Sequence, residues 1–195
     1  MEKITLYFLN TETVKRSFDE FTALLDEFSF GKARRLLNEN DRLLSVGGAY
    51  LVRKATGGKP IYYNDHGKPY SDGAFFSVSH SVDLVGIAVA SGVEVGLDIE
   101  KIRATDERLE RRCLSEEELS APCSFLSLFV AKESLAKATG RGIGGDLKKI
   151  PALPTDGKVV FCGETYFRHA FIKSGYEISV SARGEDFTLS EEYLL

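Results

Sequence analysis

The runs Gly96-Leu97-Asp98-Ile99-Glu100 and Phe129-Val130-Ala131-Lys132-Glu133-Ser134-Leu135-Ala136-Lys137 hold the residue types with most chemistry to offer. Val93, Val95, Leu97 and Ile99 recur with the period of a strand. Asp98 and Glu100 then share its other face, roughly 6–7 Å apart along the backbone. Carboxylates so placed need a cation, a proton or water between them. The second run has helical character, and Glu133 and Lys137 fall one turn apart on one face. Lys132 lies about 100° around that helix and does not share the role of Lys137, although it could reach a ligand from another side. Hard oxygen donors and a lysine on two rigid elements suit a divalent cation and a phosphorylated substrate. The plainer readings are a solvated edge strand and a helix salt bridge worth about 0.2–0.5 kcal/mol. The residues alone leave both open.

Ser79-His80-Ser81 is the next constellation. No G-x-S-x-G elbow surrounds Ser79 and no acid pairs visibly with His80, which argues against a nucleophile. Hydroxyls and an imidazole in a loop suit phosphate oxygens better. Lys68, with Lys32, Arg34, Arg35 and Arg42 upstream, could bring positive charge to the same anion. Arg103, Arg108, Arg111 and Arg112 form a further basic group, interleaved with Asp106, Glu107 and Glu110. His66 and His169 have no nameable partners and are read as structural.

The elements that position these residues follow from periodicity and turn chemistry. Ile4–Leu9 reads as a strand. Phe18–Asn40 has helical spacing with a break near Ser29-Phe30-Gly31, and a further helix runs past Leu43 to Val52. Gly57-Gly58-Lys59-Pro60 and Asn64–Pro69 are turn clusters. Leu84–Ala90 and Val93–Glu100 read as a hairpin through Ser91-Gly92. Residues 105–120 form a charged helix, and Ser124–Thr139 an apolar one stopped by Gly140. A glycine-rich loop over 140–145 leads to strands near Val159–Phe161, Tyr166–Lys173 and Tyr176–Ser181. The order suggests two similar halves, 1–102 and 103–195, although no residue-level repeat supports it.

Composition narrows the function classes. The chain has 195 residues, 43% of them hydrophobic and 28% charged, within the range of soluble globular proteins. A net charge of −4 argues against general nucleic-acid binding, which needs a basic footprint. Cys113, Cys123 and Cys162 have neither disulfide-framework nor zinc spacing, which points to a reducing compartment. No run approaches a membrane span or a secretory leader, so a cytoplasmic location is expected.

Together Gly67-Lys68-Pro69, Phe76–Ser81, Gly96–Glu100 and Lys132–Lys137 resemble, in order and spacing, the 4′-phosphopantetheinyl transferase superfamily. The chain is similar in size to its surfactin-synthetase-activating type, in which one chain holds two pseudo-equivalent halves. The resemblance implies an α+β (α/β) fold, each half a small antiparallel sheet packed with helices, with the active site between them. It implies a holo-[acyl-carrier-protein] synthase type enzyme that moves phosphopantetheine from coenzyme A to a serine of an apo acyl or peptidyl carrier protein. Asp98, Glu100 and Glu133 would hold Mg²⁺, and Glu133 would help deprotonate the carrier serine. Lys137 would contact the phosphates, as would Ser79 and His80, with Lys68 beside the nucleotide.

The chain departs from the family pattern at Phe129, often Trp, at Leu97, usually Ile or Val, and at Leu44, where relatives carry an arginine for the 3′-phosphate. Arg42, or Lys32 and Arg35, would substitute there. A monomer is expected, with neither nucleic acid nor membrane as partner. Two rival readings remain at this point: a catalytically weak coenzyme A- or carrier-binding relative, and another Mg²⁺-dependent phosphate enzyme.

Overall fold

A computed structural model describes residues 1–141 and 146–193. The chain opens with strand β1 (Glu2–Asn10) and short helices α1 (Thr11–Arg16), α2 (Phe18–Ala23) and α3 (Glu27–Arg34), then the long α4 (Glu39–Thr56). Strands β2 (Ile61–Tyr63), β3 (Pro69–Ser71), β4 (Ala74–Ser81), β5 (Leu84–Ala90) and β6 (Val95–Lys101) follow. Helices α5 (Glu107–Cys113), α6 (Glu116–Leu119) and α7 (Phe125–Thr139) precede β7 (Lys158–Phe161), β8 (Glu164–Lys173), β9 (Tyr176–Arg183) and β10 (Phe187–Tyr193).

These strands make two sheets, one ordered β10-β1-β5-β4-β3-β2 and the other β6-β9-β8-β7. The fold is therefore mixed α+β, two sheets packed with helices. The sheets meet face to face across Ile4, Leu6, Ala88, Leu97, Ile99, Ile178 and Val180. Leu44 and Leu51 of α4 cover the outer face of the larger sheet against Phe76, Val85 and Ile87. Helix α7 packs on β6 and β9 of the smaller one. The boundary expected at 102/103 falls just past β6, which pairs with β9, while β10 returns to lie parallel to β1. Each sequence half thus lends one strand to the other's sheet.

Several expectations are corrected. Leu84–Ala90 and Val93–Glu100 do not form a hairpin: β5 pairs with β1 and β4, whereas β6 pairs with β9. The apolar face of β6 lies across the core from β5 rather than beside it. The charged helix of 105–120 is two helices, because Ser115 caps α6 and Glu118 closes a capping box on the Ser115 backbone. The break near Ser29 lies instead at Leu24–Asp26, where the Asp26 carboxylate caps α3 through the Ser29 N–H. Gly140 ends α7 in the left-handed region, as its position suggested. The glycine-rich loop beyond it, at 142–145, lies outside the described residues.

Candidate active site

Helix α7 approaches β6 closely because Gly96 has no side chain: a Cβ there would sit 1.9 Å from the Ser134 carbonyl oxygen and 2.4 Å from the Ala138 nitrogen. Ser134, fully buried, meets the Ser179 and Ser181 hydroxyls of β9 at 2.9 Å each. Small residues hold the helix against the sheet and bring its polar positions to the β6 acids. Lys137 Nζ stands 2.6 Å from Asp98 Oδ1 and donates to Ser79 Oγ at 3.0 Å. The ion pair of Lys137 therefore crosses between elements to Asp98 instead of running one turn back to Glu133.

The electrostatics follow from this crowding. Burial, reinforced by the Asp98 charge and opposed by Lys137, pushes the Glu133 carboxyl up to about 7. Burial also raises Asp98, which is 5% exposed, while Lys137 and the Ser79 hydroxyl hold that rise back. Asp98 Oδ2 is buried without a hydrogen-bond partner. Glu100 accepts from Ser81 at 3.1 Å and pairs with Arg103 at 3.0 Å. Asp98, Glu100 and Glu133, with His80 and Phe129, line one hollow of about 280 Å³. Among the described residues no three His, Cys, Asp or Glu side chains stand together as a ready metal cage. The donor set still fits a hard cation, since all three are carboxylates and the orphaned Oδ2 is a buried oxygen in need of one.

The seam between β4 and β6 sets the acids' placement. Strand alternation points Ser77, Ser79 and Ser81 toward β6, and Phe76, Val78 and His80 away from it. The three hydroxyls accept the backbone N–H groups of Leu97, Ile99 and Lys101 at 3.0–3.2 Å. Ser79 was expected at coenzyme A phosphates. Its oxygen already accepts from Ile99 and Lys137 and donates to Asp98, which uses both lone pairs and the proton. His80, on the opposite face, is exposed at the mouth of a larger cleft.

That cleft, about 1150 Å³, runs between α3, α4, the β2–β3 turn and the end of α7. It joins the acid-lined hollow through shared walls at Val78, His80 and Lys137. Lys32 lines it, and so does Leu44; Arg35 and Arg42 do not, and the Arg42 guanidinium donates to the Leu36 carbonyl. Lys68 reaches the cleft wall with its ammonium occupied by the carbonyls of Val95, Lys137 and Ala138 at 2.7–3.0 Å. Burial pulls its pKa down to about 8. At neutral pH it stays charged, at the negative end of α7.

A family model described as the 4′-phosphopantetheinyl transferase superfamily matches residues 94–190, a stretch that holds Asp98, Glu100, Glu133 and Lys137. The matched half of the chain belongs to this superfamily. It is also similar to 4′-phosphopantetheinyl transferase gsp of Aneurinibacillus migulanus, 32% identical over 127 residues. That match takes in 56% of this chain and 53% of the relative, so the chain spans about half the length of the curated relative it matches.

Two features of this chain escaped the sequence reading. Arg53 and Lys59 line the cleft beside Lys32. The signal for Arg53 was its place one turn after Ala49 on the α4 face that carries Ser45 and Ala49 into the same wall. Lys132, read as able to reach coenzyme A from another side, does not. It is fully buried, 2.7 Å from the Glu118 carboxylate, and donates to the Leu147 and Ile150 carbonyls. Glu118 also accepts from the Ser115 and Ala152 N–H groups, completing a buried network away from the cleft.

Proposed function

We propose that the protein transfers 4′-phosphopantetheine from coenzyme A to a serine of an apo acyl or peptidyl carrier protein, releasing 3′,5′-ADP. The observation that carries this reading is continuity: a cleft large enough for a nucleotide and lined by cations opens, at His80 and Lys137, into the hollow lined by Asp98, Glu100 and Glu133. Lys32, Arg53 and Lys59 would face the nucleotide end, and His80 and Lys137 the pyrophosphate. Asp98, Glu100 and Glu133 would hold Mg²⁺, which would supply charge neutralisation on the phosphates. The serine oxygen would form its bond to the pantetheine-bearing phosphorus as the bond to the bridging pyrophosphate oxygen breaks. Glu133, whose carboxyl lines the hollow beside Asp98 and Glu100, would take the serine proton. Lys137 would offset charge on the departing 3′,5′-ADP.

Carrier proteins of this kind are acidic, and the arginines around Arg103 and Arg108 are the basic surface nearest the acids in sequence. The enzyme would act as a cytoplasmic monomer of the holo-[acyl-carrier-protein] synthase type. Mass spectrometry of an apo carrier incubated with the protein, coenzyme A and Mg²⁺ tests the reading. The expected result is a gain of one phosphopantetheine, with 3′,5′-ADP released only when carrier is present. Nucleotide release without carrier would overturn it in favour of a hydrolase, and coenzyme A binding without turnover in favour of a non-catalytic relative.

A further inference from the structure

The β4–β6 seam repeats one arrangement twice. Ser79 accepts the N–H of Ile99 and donates to the carboxylate of the residue before it, Asp98. Ser81 accepts the N–H of Lys101 and donates to the carboxylate of the residue before it, Glu100. Each hydroxyl thus ties a backbone position on β6 to the side chain one residue earlier. Ser77 makes the same backbone bond, to Leu97, but the residue before Leu97 is Gly96 and there is no carboxylate to receive its proton. The third serine is therefore an internal control built by the strand's period.

We infer that Ser79 and Ser81 are positioning residues that aim the Asp98 and Glu100 carboxylates at a divalent cation. The inference rests on the metal assignment made above for this site. Each serine holds one oxygen of its acid together with a cation, Oδ1 of Asp98 with Lys137 and Oε2 of Glu100 with Arg103, and the serine is the partner anchored to β6 itself. Rotation about the terminal torsion is otherwise soft, so one anchored oxygen determines where the other points. For Asp98 that other oxygen is the buried and unpartnered Oδ2. Because the serine is itself held by a β6 N–H, carboxylate direction is locked to the register of the two strands. Groups that orient metal ligands in this way typically change metal affinity about 10–100-fold when removed.

The test compares Ser77→Ala, Ser79→Ala and Ser81→Ala by electron paramagnetic resonance titration of Mn²⁺ into protein saturated with coenzyme A, against a protein-free blank. Thermal unfolding is followed in parallel. All three variants lose one acceptor for a β6 N–H and should lower the melting temperature, Ser77→Ala least because the other two also lose the bonds of Ser79 and Ser81 to Asp98 and Glu100. The Mn²⁺ dissociation constant should rise about tenfold or more in Ser79→Ala and Ser81→Ala, and stay within about twofold in Ser77→Ala. Equal weakening in all three would make the seam purely structural and overturn the inference, as would no weakening in either of the two. If Ser79→Ala fails to fold, Ser81→Ala against Ser77→Ala still decides. Wild-type protein that adds no bound Mn²⁺ signal overturns the metal assignment itself, and this inference with it.

Discussion

At the scale of single residues, the site sets three carboxyl groups against two cations, Lys137 on Asp98 and Arg103 on Glu100. This leaves Glu133 without an ion pair of its own among the described residues, and the site's behaviour without metal follows from that. Glu133 is pushed up to about 7 from an ordinary 4.5, so between those pH values the folded protein keeps a proton that the unfolded chain has released. Metal-free stability must then fall as pH rises through that window, and the loss is complete above about 7. The urea midpoint measured from pH 4.5 to 8 should show the decline in wild type and a flatter profile in Glu133→Gln; parallel profiles would contradict the burial of this carboxyl. The same variant should lose transfer activity. Lys137→Met keeps the stem and removes the charge, and should lower turnover by roughly 10²–10³-fold, the range for loss of one transition-state contact. Steady-state kinetics check it. The acids and Lys137 were readable from spacing because strand and helix periods alone place them on shared faces. The bonds of Ser79 were not, since only the tertiary register brings its hydroxyl to Asp98, Ile99 and Lys137 at once.

Among the elements, α7 and β6 depend on each other through Gly96. A methyl at this position meets helix backbone, which cannot swing aside as a flexible side chain could. Gly96→Ala should destabilise by about 1–3 kcal/mol or somewhat more, the usual cost of overpacking. It should also reduce turnover in the fraction that remains folded, because displacing α7 moves Glu133 and Lys137 together. Calorimetry and activity per folded molecule separate the two effects. Lys132→Met should act differently: it leaves Glu118 buried without its cation, and breaking such pairs costs about 3–5 kcal/mol. Its deficit should therefore appear in the melting temperature. Helices with strong caps and apolar periodicity, α4 and α7, were legible. The division of 105–120 was not, because what turns Glu118 inward is a lysine on another helix. Strand β10 also escaped, its alternation obscured by Ser190, Glu191 and Glu192 around Phe187 and Leu189.

For the molecule as a whole, the exchange of strands governs how it unfolds. Strand β6 belongs to the sheet built mainly from the C-terminal half, and β10 closes the sheet begun by β1. Neither half, cut from the other, keeps its sheet complete. Unfolding should accordingly be one cooperative transition, with far-ultraviolet circular dichroism and tyrosine fluorescence tracing coincident curves. Two separated transitions would show that the halves fold as independent units. The general division into strands and helices was visible in hydrophobic period, whereas the exchange was not, since pairing between distant strands leaves no local mark on sequence.

The serine seam has one more consequence. Strand β6 ends its sheet, and an open strand edge is a template on which other chains can add. The remaining edges are blunted by ordinary means: β2 is three residues long, β7 is four and carries Lys158, and β10 carries Glu191 and Glu192. On β6 charge repulsion is not available for this purpose, because its acids face the site. The hydroxyls of Ser77, Ser79 and Ser81 take up the N–H groups of Leu97, Ile99 and Lys101 instead, so the strand that presents Asp98 and Glu100 leaves none of these donors for another chain to pair with.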